Sequence, residues 1–235
     1  MMQAVILAGG LGTRLRPLTL QFPKPLVPVA GAPYLEYQLR YLRQFGISRA
    51  LLLIGYLGEQ VRNHFGDGGR FGMDLQYCEE KTPLGTGGAL RQAIDALHEE
   101  FFLIYGDSFL PVDYADLERV FRARPVLALM TACENSSRGI PVANNVAINE
   151  TMHVTCYEKG GARTDLNYVE AGVHALRKQS IGLLPPAGVA SLEEHLFPEL
   201  VRRRALGAYI CPERFYDIGT MQGLKAFEQS RWVHQ

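Results

Sequence analysis

The sequence has no excess charge of either sign: lysine plus arginine and aspartate plus glutamate each number 24 over 235 residues. That balance argues against nucleic-acid or anionic-membrane binding, both of which need a broad cationic field. Long apolar runs are also missing. The apolar segment from Ala4 to Leu7 is too short for a signal or spanning helix and has no charged stretch before it, so a soluble cytoplasmic protein is expected. Cys78, Cys133, Cys156 and Cys211 form no C-x-x-C pair, which excludes a zinc-ribbon pattern and a disulfide framework and leaves four ordinary buried thiols. The six histidines, His64, His98, His153, His174, His195 and His234, show neither metal-ligand spacing nor a nucleophile partner and read as structural or surface residues. No low-complexity tract or internal repeat is visible.

What remains is an ordinary globular composition, 47% apolar and 20% charged, on a chain long enough for one large domain. The charge is unevenly placed. Residues 1 to 50 carry Arg14, Arg16, Lys24, Arg40, Arg43 and Arg49 against the single acid Glu36, a local bias that suits a small polyanion better than a duplex.

Short apolar runs alternate with amphipathic stretches through the first half, the pattern of βα units feeding a mostly parallel sheet. Strands are expected at Gln3 to Leu7, Ala50 to Ile54, Leu75 to Tyr77, Phe101 to Tyr105 and Val126 to Thr131. Helices are expected at Tyr34 to Gln44, Leu57 to Phe65, Gly87 to Leu97 and Tyr114 to Ala123. Beyond residue 135 short β-like runs at Val146 to Ile148, Val154 to Tyr157 and Tyr168 to Leu176 point to an antiparallel addition. Helices at Lys178 to Leu184 and Leu192 to Arg203, strands at Leu206 to Ile210 and Phe215 to Ile218, and a closing helix from Met221 to Trp232 complete the expectation. Glu193 and Glu194 are expected on a solvated helix face.

The segment LAGGLGTRLRPLTLQFPKPLVPVAG follows the first strand directly. Gly9, Gly10 and Gly12 leave backbone N–H groups free to approach phosphate oxygens, and Thr13 adds a hydroxyl. Arg14 and Lys24 supply full charges, the first able to bind bidentately and the second as a mobile point charge. The spacing G-G-x-G-T-R is not the dinucleotide fingerprint G-x-G-x-x-G. Pro17, Pro23, Pro25 and Pro28 deny residues 17 to 28 a regular helix, so an extended, stiff excursion carrying Lys24 is expected. Further along, FFLIYGDSF sets Asp107 just past a strand, at the sheet edge where ligands bind, and RFYDIGT sets Asp217 after a second short run.

These residues resemble the motif G-G-x-G-T-R-L-x-P-L-T followed by P-K-P of the sugar-phosphate nucleotidyltransferases, matched from Gly9 to Thr19 and from Pro23 to Pro25. The resemblance extends from Met2 to about Phe227. It implies a single Rossmann-like α/β domain over 1–235, with a mainly parallel sheet flanked by helices and a smaller antiparallel sugar-side addition. Residues 1–133 would form the nucleotide-binding half and 134–235 the sugar-binding half.

It further implies that Leu7, Ala8, Gly9, Gly10, Gly12, Thr13 and Arg14 wrap the triphosphate, with Arg14 on the leaving pyrophosphate and Lys24 neutralising charge during transfer. EEKTPLGTGGAL resembles the base-reading segment, giving Glu80, Leu84, Gly85, Thr86 and Gly87 as base-side candidates at a helix start. Asp107 and Asp217 match the family's metal aspartates, which implies Mg2+. Gly106, Asp107, Asn145, Glu158, Lys159, Glu170 and Gly172 are the implied sugar-phosphate contacts. Gly160 stands where proline is usual after the lysine, and Glu170 where asparagine is frequent.

The implied partners are a nucleoside triphosphate and a sugar 1-phosphate, and self-association into a homo-oligomer is left open. The segment L-G-T-G-G-A-L looks most like that of mannose or heptose guanylyltransferases, which favours GTP, although residues 17 to 90 also resemble a muramic-acid-phosphate uridylyltransferase. The competing classes are a uridylyl- or cytidylyltransferase on another sugar phosphate, a nucleotide-sugar-dependent glycosyltransferase, and a non-catalytic nucleotide-binding module. The glycosyltransferase is disfavoured because Gly106-Asp107-Ser108 lacks a D-x-D pair.

Overall fold

The computed structural model describes residues 1–135, 142–158, 163 and 165–234. Its framework is a nine-stranded sheet. In chain order the strands and helices are β1 (Gln3–Leu7), the two-residue strands β2 (Pro28–Val29) and β3 (Ala32–Pro33), α1 (Tyr34–Gln44), β4 (Arg49–Ile54), α2 (Gly58–Phe65) and β5 (Asp74–Glu79). There follow α3 (Gly85–Gln92), β6 (Glu100–Tyr105), β7 (Ser108–Phe109), α4 (Tyr114–Arg122), β8 (Ala128–Glu134), β9 (Val146–Ile148), β10 (Val154–Tyr157) and β11 (Tyr168–Arg177). The chain closes with α5 (Phe197–Arg202), β12 (Leu206–Ile210), β13 (Tyr216–Asp217) and α6 (Met221–Glu228).

Parallel pairing links β6, β1, β4 and β5, and the chain leaves β1 toward β4 but returns to its other side at β6. The antiparallel β11 then joins β6 to β8, which pairs in parallel with β12. The first residue of β11 also pairs with β9, itself antiparallel to β10. The expected mainly parallel sheet with an antiparallel addition is therefore present.

Alternation along the strands puts Ala4 and Ile6 of β1 on one face and Val5 on the other. The first face packs against Leu35 and Leu39 of α1, Val61 and Phe65 of α2, and Leu117 and Phe121 of α4. The second packs against Leu90 of α3 and Phe197 and Leu200 of α5. Helix starts follow their caps: Asp113 accepts from the N–H groups of Ala115 and Asp116, and the Thr220 hydroxyl accepts from Gly223.

Several expected boundaries move. The helix expected to reach Leu97 ends at Gln92, and a 3-10 turn, Ile94–Ala96, follows because Gln3 holds it from both sides: its amide donates to Ala96 O and accepts from His98 N. The stretch Lys178–Leu183 is a 3-10 turn, since the next residue, Leu184, precedes Pro185 and is extended. The helix expected from Leu192 is split: Pro198 has no N–H to give, so Leu192–Leu196 forms a wider π turn before α5. The expected extended excursion is instead three 3-10 turns, Thr13–Leu15, Leu18–Leu20 and Lys24–Leu26. A third apolar cluster, including Leu15, Val27, Tyr34, Tyr37, Phe109, Ile218, Leu224 and Phe227, clamps this excursion against β7 and α6. The closing helix stops at Glu228, and Trp232 packs on the same cluster from the turn beyond. No helix among the described residues is long and apolar enough to cross a membrane.

Candidate functional site

A cleft of about 1120 Å³ opens along the carboxyl edge of the parallel strands. Its wall includes Gly9 and Gly10 after β1, Gly55 after β4, Glu80 after β5 and Gly106 and Asp107 after β6, where an open α/β sheet leaves a crevice. Leu7, Ala8, Arg14, Lys24, Gly85, Thr86, Asn145, Glu170, Gly172 and Asp217 also line it.

The floor of the cleft is a cluster of opposite charges. Lys24 Nζ lies 2.5 Å from Asp107 Oδ2, and the Arg14 guanidinium lies 3.0 Å from Asp217 Oδ2 and 3.8 Å from Asp107 Oδ2. Local structure explains the convergence. Gly12, at φ 62, turns the chain left-handed so that the next residues form the turn bearing Arg14, and the Thr19 hydroxyl locks it by donating to Gly12 O at 2.8 Å. The antiparallel pair β7–β13 sets Asp217 opposite Ser108, next to Asp107, and Ile218 N–H donates to Asp107 O at 2.9 Å. Gly219 N–H fixes Asp217 Oδ1 at 2.9 Å.

At the other end, Glu80 Oε2 accepts from Leu84 N–H at 2.9 Å while its other oxygen packs against the backbone at Gly9 and Gly55. Leu84 and Gly87 lie just behind the wall: Leu84 O accepts from Ala190 N–H, and Gly87 N–H donates to Ala190 O. Gly12 and Thr13 support the loop from outside the lining. Glu158 follows β10 and donates its N–H to Asn145 O at 2.9 Å, also outside the lining. Lys159 lies outside the described residues.

Glu193, expected in solvent, lines the cleft instead. Its carboxylate accepts from Tyr105 OH at 2.9 Å, Thr86 Oγ1 at 3.1 Å and Ser191 Oγ at 2.6 Å, because the π turn swings it inward from where a regular helix would leave it. Tyr105 and Tyr157, which the sequence places at the ends of two strands without a functional role, form this wall too. Burial, and then the nearby carboxylates Glu170 and Glu193, push both phenols well above the ordinary tyrosine range, so they act as neutral O–H donors. Only their position after or at the end of strands could have marked them.

The family model described as Nucleotidyl transferase matches residues 3–230. The chain is 31% identical over 218 residues to D-glycero-alpha-D-manno-heptose 1-phosphate guanylyltransferase of Campylobacter jejuni, covering 93% of this chain and 95% of that one. It is 30% identical to mannose-1-phosphate guanylyltransferase of Mycobacterium tuberculosis, covering 92% of this chain but 61% of that longer protein. Among solved structures, HddC from Yersinia pseudotuberculosis complexed with GMP-PN superimposes with a TM-score of 0.78 at 25% identity, covering 96% of this chain and 97% of that one. A glycine loop, two cations and two carboxylates gathered at the sheet edge, within a match that runs nearly end to end, mean that the chain belongs to the nucleotidyl transferase family and is a sugar-phosphate nucleotidyltransferase.

Proposed function

We propose that this cleft transfers a nucleotidyl group from a nucleoside triphosphate, GTP by preference, to a mannose- or heptose-type sugar 1-phosphate, yielding an NDP-sugar and pyrophosphate. The observation that carries the reading is the convergence of Lys24, Arg14, Asp107 and Asp217 beneath the Gly9–Gly10 loop. Both substrates are polyanions, so the protein's main task is to hold them together against their repulsion and to stabilise charge on the transferring phosphorus and the leaving oxygen.

In this reading the β1 half binds the nucleotide, with Glu80, Gly85 and Thr86 at the base and the glycine loop on the phosphates. Arg14 binds the departing pyrophosphate. Lys24, only 14% exposed, neutralises the phosphoryl oxygens at the reacting centre, and a sugar phosphate oxygen attacks in line with no covalent enzyme intermediate. Asn145, Glu170 and Gly172 lie along the sugar. Asp107 and Asp217 suit a divalent cation: two carboxylates already share one cationic centre, the Arg14 guanidinium, and both face the cleft. Magnesium held there by Asp107 and Asp217 would offset the charge of both phosphate groups.

The guanylyl preference draws on the heptose and mannose guanylyltransferases that the chain resembles at 30–31% identity. The test is pyrophosphate release with magnesium, setting GTP, UTP, CTP, dTTP and ATP against hexose, heptose and amino-sugar 1-phosphates. Release confined to GTP with a manno-type sugar is the expected result. Release with UTP or CTP instead would replace the base assignment, and no release from a folded protein that still binds nucleotide would favour a non-catalytic module.

A further inference from the structure

The sugar-side wall contains a contact that an ordinary strand cannot make. Glu170 and His174 both belong to β11, and four residues of extended chain span about 13 Å. Yet His174 Nε2 lies 2.9 Å from Glu170 Oε1. The strand is bent between them at Gly172, φ 79, where its register on β8 also shifts. That bend carries the Glu170 side chain back over the His174 ring.

The ring is 1% exposed and fixed edge-on between Tyr105, centroid distance 5.6 Å, and Phe197, 5.1 Å. Its Nδ1 has no hydrogen-bond partner among the described residues. A proton at Nδ1 would be a buried donor with nothing to receive it, so the ring carries its proton on Nε2 and donates to Glu170. A histidine serving only to fill the core gains nothing from an orphaned nitrogen, whereas one that must present Nε2–H to a carboxylate has only Nδ1 left to leave unpaired. Tyr157 OH donates to the other oxygen, Glu170 Oε2, at 3.3 Å, and Glu170 N–H is anchored on Asn145 Oδ1 at 2.9 Å. The carboxylate is thus fixed by two donors on the cleft wall, with lone pairs to spare.

We propose that His174 is a positioning residue: it holds Glu170 as a fixed acceptor for ring hydroxyls of the sugar 1-phosphate, so that the pair selects the hydroxylated sugar over its deoxy counterpart. This rests on the sugar-phosphate reading above. A site built to hydrogen-bond a hydroxyl rejects the analogue lacking it far more strongly than an apolar pocket rejects a missing methylene.

The experiment is calorimetric titration of the full chain with mannose 1-phosphate and its monodeoxy analogues, alongside steady-state turnover with GTP. The wild type is expected to bind at least one deoxy analogue a hundredfold or more weakly than the parent. His174→Phe should weaken mannose 1-phosphate at least tenfold, narrow the gap to that analogue, and leave the KM for GTP unchanged. His174→Gln, whose amide reaches the Nε2 position, should recover most of the loss. His174→Asn, whose amide stops at the Nδ1 side, should not, and it replaces the Phe variant if that one fails to fold. On a Glu170→Gln background, His174→Phe should cost nothing further. Wild-type affinity and discrimination in His174→Phe or His174→Asn would overturn the proposal, as would equal loss in the Gln and Asn variants. Binding with this selectivity but no pyrophosphate release would refute the reaction and not the pair. Absence of mannose 1-phosphate binding in the wild type would overturn the pair.

Discussion

Gly219 sits at the narrowest point of the charge cluster. A methyl carbon added there would lie 2.6 Å from Arg14 Nη2, 2.8 Å from Asp217 Oδ1 and 3.2 Å from Asp107 Oδ2. Comfortable contact needs about 3.5 Å, so one or more of these groups must retreat by up to ~1 Å. Arg14, 57% exposed, can swing outward, which breaks its 3.0 Å pairing with Asp217; Asp217 can retreat only by leaving the Gly219 N–H. Either response disperses groups that the proposed chemistry needs together. A misplacement of about 1 Å at a reacting centre costs on the order of 100-fold in rate, equivalent to ~2.7 kcal/mol of transition-state stabilisation. Gly219 is not one of the glycines at positive φ, so alanine is compatible with the backbone there. Gly219→Ala should therefore lower kcat about 100-fold by this reasoning while shifting the melting temperature by only a few degrees. Steady-state pyrophosphate release, paired with thermal unfolding on the same samples, is the assay. A kcat close to wild type in a folded variant would refute the claim that Arg14, Asp107 and Asp217 act as one compact unit.

Lys24→Ala should lower turnover by about 10³-fold with the fold intact, because it removes the partly buried cation facing Asp107 but none of the apolar clamp around it; the readout is the same assay. Asp107→Ala should also reduce kcat by orders of magnitude, and added magnesium should not restore it. Chelation of divalent cations should abolish pyrophosphate release by the wild type, with recovery on adding magnesium back. Gly106→Ala places a methyl on the Leu7 carbonyl, where two backbones meet and neither can yield. Overpacking of that kind costs about 1–3 kcal/mol, which calorimetry should show as a melting temperature lowered by several degrees.

The strands were the most legible part of the fold because β1, β4 and β6 are buried on both faces and read as unbroken apolar runs. Helix ends were less so. The end of α3 is fixed by Gln3, more than 90 residues away in sequence, and no local pattern encodes such a contact. At the site, the glycine loop and the two cations were readable because chemistry concentrates them in one segment. Asp107 and Asp217 were individually visible, but their meeting depends on the two-residue pairing of β7 with β13, too short to leave a periodic signal. Glu193 was misread because a regular helix was assumed where Pro198 forces a wider turn. His174 read only as a structural or surface residue; it is buried, and its hydrogen bond to Glu170 exists because of the bend at Gly172.

The clamp that packs Leu15 and Val27 against Leu224 and Phe227 has a consequence for the order of assembly. Arg14 and Asp217 are 203 positions apart, so β13 must be synthesised long after the glycine loop before the two can pair. Until α6 docks, the excursion bearing Arg14 and Lys24 lacks part of its apolar floor, and the early β1–β4–β5–β6 sheet can form around a glycine loop that has no carboxylate from β13 opposite it. Competence is thereby tied to β13: a chain cut short before it can retain much of its parallel core yet cannot bring Asp217 to Arg14 and Asp107.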